Sequence, residues 1–346
     1  NVAVGYAALS SEDGDGQNVA VGWKTLENLN AGAQGRNVAV GYNAGNDLTT
    51  GRWNNLIGAF AGDSLTVGDA NIAVGFQALA AEDDHGRNVA IGYNALEIQN
   101  AGADVYNIAI GYDVGKLITT GTRNVLVGGL AGDALTTGAY NTAVGYQALS
   151  AEDAHGTNTA IGYQSLAQQN AGADALNTAI GFQAGYSVSD GVRNTLIGSL
   201  AGDALTAGDY NTVVGYEALS TEDAHGTNTA IGAFALKALN AGANAYNVAV
   251  GYDAGAVMTT GIRNTLIGGL AGDALAGGSH NVAIGTYALS TEDTHGKNIA
   301  IGYSALLLQN AGVDAYNVAI GYDTGQAITT GISNTLIGGK AGDALT

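Results

Sequence analysis

Four times the chain sets a glutamate, an aspartate and a histidine close together: Glu82-Asp83-Asp84-His85, Glu152-Asp153-Ala154-His155, Glu222-Asp223-Ala224-His225 and Glu292-Asp293-Thr294-His295. Carboxylates beside an imidazole can ligate a cation, Ca2+ among them. An earlier copy, Glu12-Asp13-Gly14-Asp15-Gly16, lacks the histidine and has the Gly-Asp alternation of a calcium-type turn. The candidate ligands are therefore Asp13, Asp15, Asp153, His155, Asp223 and His225. Against cation binding stands the spacing, because one layer per coil would separate successive copies by about 19 Å, too far to converge on one centre. Solvation of an acidic surface loop is the expected role, with Ca2+ or a histidine response to pH as alternatives.

Two other side-chain types recur. An aromatic ring, exemplified by Tyr93, Tyr146, Tyr163 and Tyr303, follows a glycine in thirteen repeats and shifts by one place in others, as at Phe60, Phe234 and Tyr287. Such rings could stack on sugars, although a packing ladder is the stronger expectation. Arg123, Arg193 and Arg263 each precede an asparagine by one residue, and Arg52 precedes one by two. Asp133, Asp203 and Asp273 follow the first three within the coil, and ion pairing along or between chains is expected. Nothing has the form of a catalytic centre: a nucleophile, base and orienting acid should occur once, whereas here every polar residue is repeated. The Gly-Gly-Leu-Ala-Gly runs have no phosphate-loop lysine.

These residues sit on a strict scaffold. Asparagine recurs every 17 or 19 residues, twenty times from Asn1 to Asn334, and the fourth residue after it is always glycine. The steps run 17, 19, 17, 17 and repeat, defining superrepeats 1–70, 71–140, 141–210, 211–280 and 281–346 of a single array. Each superrepeat holds four coil types: one with the acidic loop, one lengthened by a segment such as Asn170 to Ala173, one ending as at Thr119 to Arg123, and one reading as at Gly128 to Leu135. Self-similarity of this kind predicts a stacked array.

The phrase Asn158-Thr159-Ala160-Ile161-Gly162-Tyr163 alternates small residues with β-branched or aromatic ones, so it predicts a strand. Asn, Ala and Gly fall on one face and Thr, Ile and Tyr on the other. The fold class expected is all-β, a parallel β-solenoid with the small face inside each coil. The Val/Ile face then needs cover from outside, most simply from copies of the same chain around a central axis. Asn141, Asn158, Asn177 and Asn194 are expected to form an amide ladder along the stack. Gly145, Gly162, Gly181 and Gly198 need either a positive φ at a corner or close approach of a neighbouring chain. The later Gly121 reads as a turn residue. Twenty coils would make a rod of roughly 95 Å.

Composition narrows the field. A net charge of −19, with 11 Lys plus Arg, repels nucleic acid and anionic lipid. No apolar run is long enough for a bilayer span, and no membrane insertion is expected. The absence of cysteine removes disulfides and thiolate sites, and no cofactor is implied. Proline, which would interrupt ladders, is also absent. The array begins on an asparagine and ends inside a coil without a cap, which leads us to expect a stretch of a longer fibre.

The segments Asn158 to Leu166 and Asn177 to Gly185 read Asn-Thr-Ala-Ile-Gly-Tyr-Gln-Ser-Leu and Asn-Thr-Ala-Ile-Gly-Phe-Gln-Ala-Gly. They resemble the repeats of phage-type tail-fibre-domain proteins and, more loosely, the head repeats of trimeric autotransporter adhesins. The resemblance extends over the whole chain. It implies a homotrimeric extracellular fibre on a virion or cell-surface appendage, with a structural shaft as the function and no enzymatic activity. A glycan- or surface-binding module with an exposed aromatic stripe is the competing expectation, and a five-bladed propeller a weaker one.

Overall fold

Each asparagine opens a three-residue strand, because only positions two to four of the phrase combine extended-chain preference with freedom from glycine. Residues 1–346 are described by a computed structural model, with Asp15 and Ala33 left outside the described residues. The contacts define two compact units. Asn1–Ala175 contains ten strands, β1 (Val2–Val4) to β10 (Thr159–Ile161), and Leu176–Thr346 contains ten more, β11 (Thr178–Ile180) to β20 (Thr335–Ile337). Within each unit consecutive strands pair in parallel and in register, as in Val2↔Val19 and Ala3↔Ala20, or Thr195↔Thr212 and Leu196↔Val213. Each unit is thus a parallel β-solenoid. Among the described residues no helix is long and apolar enough to cross a membrane.

From β2 to β19 the strand's middle residue points inward and is fully buried, whether Ala90, Ala143, Leu126 or Leu196. Its flanking β-branched neighbours point outward and remain partly exposed, as at Ile57, Ile110 and Ile267. The inner volume is balanced between positions. Where the strand centre is Ala73 or Ala90, Leu79 or Leu96 fills the coil six residues later. Where the centre is Leu126, Gly132 takes that later place, and a Cβ on it would lie 3.0 Å from Leu126 Cδ2 and 2.7 Å from Leu135 Cδ1. Close packing leaves no room for both large residues.

The glycine after each strand from β1 to β19 combines a positive φ with the close approach of other backbone. Gly145, Gly162, Gly181 and Gly198 have φ of 141°, 136°, 144° and 136°. A Cβ on Gly145 would fall 2.2 Å from the carbonyl oxygen of Gly162, and one on Gly181 would fall 2.4 Å from that of Gly198. The approaching backbone belongs to the next coil of the same chain, which corrects the expectation of a neighbouring chain. Gly121 is also more than a turn residue: it is buried, and its Cβ would meet the Gly138 carbonyl at 2.4 Å.

Further corners are turned by ordinary residues in the left-handed region. The seventh residue of the phrase has φ near 50–60° whether it is Asn94 (53°), Gln147 (53°), Leu130 (58°) or Phe60 (60°). Asn tolerates this region, whereas Leu and Phe pay for it. The N–H of each bonds back one coil, Leu130 to Tyr112 O at 2.9 Å and Phe60 to Tyr42 O at 2.8 Å, so rung pairing holds the strained corner.

The asparagine column is a ladder, although side chain meets backbone more than side chain. Asn124 Oδ1 accepts the Asn141 N–H at 2.9 Å, Asn141 Oδ1 the Asn158 N–H at 3.1 Å, and Asn177 Oδ1 the Asn194 N–H at 2.8 Å. The amide nitrogen turns across the coil and donates to a corner carbonyl: Asn124 to Gly138 O at 2.9 Å, Asn177 to Gly191 O at 2.7 Å, and Asn194 to Gly208 O at 2.7 Å. Each of these asparagines therefore joins the strand to its own far corner and to the next coil, whereas in the lengthened coils Asn298 Nδ2 turns to Glu292 Oε2 at 3.5 Å and Asn88 Nδ2 has no partner among the described residues; every asparagine of the column from Asn18 to Asn317 is buried.

Candidate functional site

The acidic loops lie at the corner reached eleven residues after the asparagine, a column occupied in other coils by Leu65, Ile118, Leu135, Val188 and Met258, all fully buried. Glu82, Glu152, Glu222 and Glu292 stand in that column and are likewise buried, which overturns the expectation that the whole loop is a solvated surface. Asp153 and Asp223 are exposed, and the histidines are half-buried. Each glutamate turns inward and braces its loop: Glu82, Glu152 and Glu222 Oε1 accept the N–H of His85, His155 and His225 at 3.3, 3.1 and 3.2 Å. Burial pushes the Glu82, Glu152 and Glu292 carboxyls up to about 7, opposed by those backbone bonds. Burial also raises Glu222, held back by the N–H groups of Ala241 and His225.

Ligand atoms of Glu, Asp and His lie within 4.8 Å of one another in each of the four loops. The donor set is two carboxylates and one imidazole, well short of the six to eight oxygens Ca2+ takes. Glu152 is committed to the loop backbone through Oε1, so the trio reads first as a braced corner. In the first superrepeat Glu12 Oε1 accepts the Gly14 N–H at 3.2 Å and its Oε2 the Asn18 amide at 3.3 Å. Asp13 there is exposed, and Asp15 lies outside the described residues.

The aromatic residues form a real column. Tyr93 and Tyr112 stack with centroids 5.4 Å apart and planes at 12°, Tyr146 and Tyr163 at 5.7 Å and 16°, and Tyr303 and Tyr322 at 5.4 Å and 12°. Displaced rings rejoin it edge-on: Phe234 lies 5.3 Å from Tyr216 and 6.0 Å from Tyr252. Stacking and exposure coexist, with Tyr93, Tyr146 and Tyr303 each 46–47% exposed.

Within the described residues of the one chain, Arg123, Arg193 and Arg263 do not pair with Asp133, Asp203 and Asp273. Arg123 Nη1 donates to Tyr140 Oη at 2.9 Å with its guanidinium carbon 5.4 Å from the ring centroid, and Arg193 does the same to Tyr210 at 2.6 and 5.3 Å. Arg263 meets His280 at 3.4 Å. Asp133, Asp203 and Asp273 instead sit part-buried, raised by desolvation, each with Oδ1 lacking a partner. The reason is geometric: the residue before each asparagine falls directly above the residue before the next. This second column was missed in the sequence, although Arg87, Tyr106, Arg123 and Tyr140 all stand one place before the phrase. From Arg87 to Tyr140 it alternates cation and ring, with Arg87 donating to Tyr106 Oη at 3.0 Å, and further along Lys297 donates to Tyr316 Oη at 3.1 Å.

No family model matches the chain, and neither the curated proteins nor the solved structures include a match to it.

Proposed function

We propose that the protein is a structural shaft of an extracellular fibre, a homotrimer that supplies length and rigidity for surface attachment on a virion or a cell-surface appendage, and that it has no catalytic role. One observation carries this reading: the last residue of the strand is an outward Val or Ile in coil after coil, and among the described residues nothing covers that stripe. Val40, Ile57, Ile110, Ile180, Ile197, Ile267 and Ile320 are each 36–41% exposed, beside the exposed ring column. A repeated apolar stripe of this kind is a surface for association, and copies of the same chain offer a complementary stripe of the same period. Light-scattering mass with negative-stain images of the same sample tests it. A trimeric thin rod is expected, and a monomer would overturn the assembly.

A second reading has its own support. Stacked rings left open to solvent, such as Tyr93 with Tyr112, offer a tandem platform for sugar faces, which would make the chain a carbohydrate- or surface-binding module.

A further inference from the structure

Superrepeat 1–70 departs from the others at one corner. Position 36 is arginine where the equivalent corners carry Tyr106, Leu176, Tyr246 and Tyr316; position 53 is tryptophan where they carry Arg123, Arg193, Arg263 and Ser333. Position 34 is glutamine where they carry Asp104, Asp174, Asn244 and Asp314. The three changes act together. In the second and fifth superrepeats the aspartate at that corner neutralises a cation, Asp104 pairing with Arg87 and Asp314 with Lys297 at 2.6 Å. Gln34 removes that negative charge, while Arg36 adds a positive one on the pre-asparagine column.

The result is an open cavity of about 300 Å³ lined by Gln34, Arg36, Arg52 and Trp53. Among the described residues the Arg36 guanidinium meets only amide oxygens, its Nε donating to Gln17 Oε1 at 3.1 Å and an Nη to Gln34 Oε1. Arg52 lies with its guanidinium carbon 4.8 Å from the centroid of the Trp53 ring, and its one carboxylate contact, Asp69, is at 3.5 Å. The indole is 47% exposed. Two guanidinium groups at one mouth are unusual in a chain of net charge −19, where a bare anion would otherwise be repelled.

We propose that this corner binds a carboxylated sugar, such as a uronic acid residue of an acidic polysaccharide. A guanidinium fork matches the two oxygens of a planar carboxylate. An exposed indole beside it offers the flat apolar face against which a pyranose ring packs. Gln34 adds amide donors and acceptors for hydroxyls without opposing the anion's charge. The cavity is open along the surface, which suits a residue within a chain. The proposal does not depend on the number of chains in the assembly.

Calorimetric titration of the full chain with trigalacturonate, and with maltotriose as a neutral control, tests it. Binding of one trigalacturonate per chain is expected, with maltotriose at least ~10-fold weaker. Arg36→Leu and Trp53→Ser place residues that the fold already accepts at the equivalent corners, so both variants should keep the parent melting temperature. Each is expected to weaken trigalacturonate at least ~10-fold. No heat of binding up to ~10 mM, or an affinity unchanged in either variant, would overturn the proposal. So would displacement by inorganic sulfate at concentrations equal to trigalacturonate, since that marks an oxyanion site with no use for the sugar ring.

Discussion

Two columns run along each unit with the same period and opposite tolerance. The inner one, asparagine with the glycine after the strand, has no exception in twenty coils. The outer one, the aromatic ring, slips by a place at Phe60, Phe234 and Tyr287 and is replaced by Gly129 or Ser199 elsewhere. Both are ladders, so laddering does not explain the difference. Directionality and burial do. Asn124 must present Oδ1 to the Asn141 N–H and Nδ2 to the Gly138 carbonyl, and no other side chain of that size offers one acceptor and one donor so placed. A ring satisfies its neighbour from several angles, stacked at Tyr93–Tyr112 and edge-on at Tyr216–Phe234. An inner fault leaves buried polar groups unpaired, while an outer fault only exposes a little more apolar area.

The largest break in this contrast should come from Gly145→Ala. The new Cβ would sit 2.2 Å from the Gly162 carbonyl, at a φ of 141° that alanine avoids, so the coils must part and the strand pairing on both sides suffers. A loss of about 4 kcal/mol or more is expected. Thermal unfolding followed by circular dichroism reads this as a fall in melting temperature, and a change of only a degree or two would show that the coils can slide apart freely.

Much of this architecture was legible because the inner column is made of residues with few substitutes. The asparagine and glycine spacing fixed coil length, parallel register and the inward face before any coordinate. Three features were not legible. The buried glutamates look like surface residues beside Asp83 and Asp153, and only counting eleven residues from each asparagine aligns Glu82 with Ile118 and Leu135 in one core column. The left-handed corners carry residues as different as Lys24 and Phe60, because a constraint on φ held by rung pairing leaves no mark on side-chain type. The arginine partners were sought within a coil, whereas the stack places them one coil away, on Tyr140 and Tyr210.

A middling effect should come from pH, acting at the buried glutamates that stand eleven residues after their asparagines. Glu152 has an ordinary value of 4.5 and about 7 in the fold. Below 4.5 the carboxyl is neutral in folded and unfolded chains alike, and burial costs nothing extra. As pH rises from 4.5 towards 7 the unfolded chain ionises first, so stability falls with pH and levels off above 7. Glu82 and Glu292 add to the same trend. A drop in melting temperature on the order of 5 °C between pH 5 and pH 8 is expected. General repulsion in an acidic chain would give a slope too, so the deciding comparison is Glu152→Gln, which should make the profile shallower by that residue's share, with Glu82 and Glu292 still titrating, while an exposed Asp153→Asn change leaves it as it was.

The smallest effect on the fold should come from the outer column, where it also becomes most informative about assembly. Tyr93→Ser with Tyr112→Ser removes a stacked pair whose rings are 46% and 58% exposed. The single chain loses only the stacking preference and part of one apolar contact, about 1 kcal/mol or less. If copies of the chain meet on this stripe, the same two substitutions remove buried rings from every interface of the assembly, and the mass by light scattering should fall at micromolar concentration while the circular dichroism spectrum stays unchanged. An oligomer that persists at that concentration would place the contact elsewhere on the outward Val/Ile face. A melting temperature that falls as far as for Gly145→Ala would erase the contrast between the columns, because it would mean the ring ladder carries the stack as fully as the asparagines do.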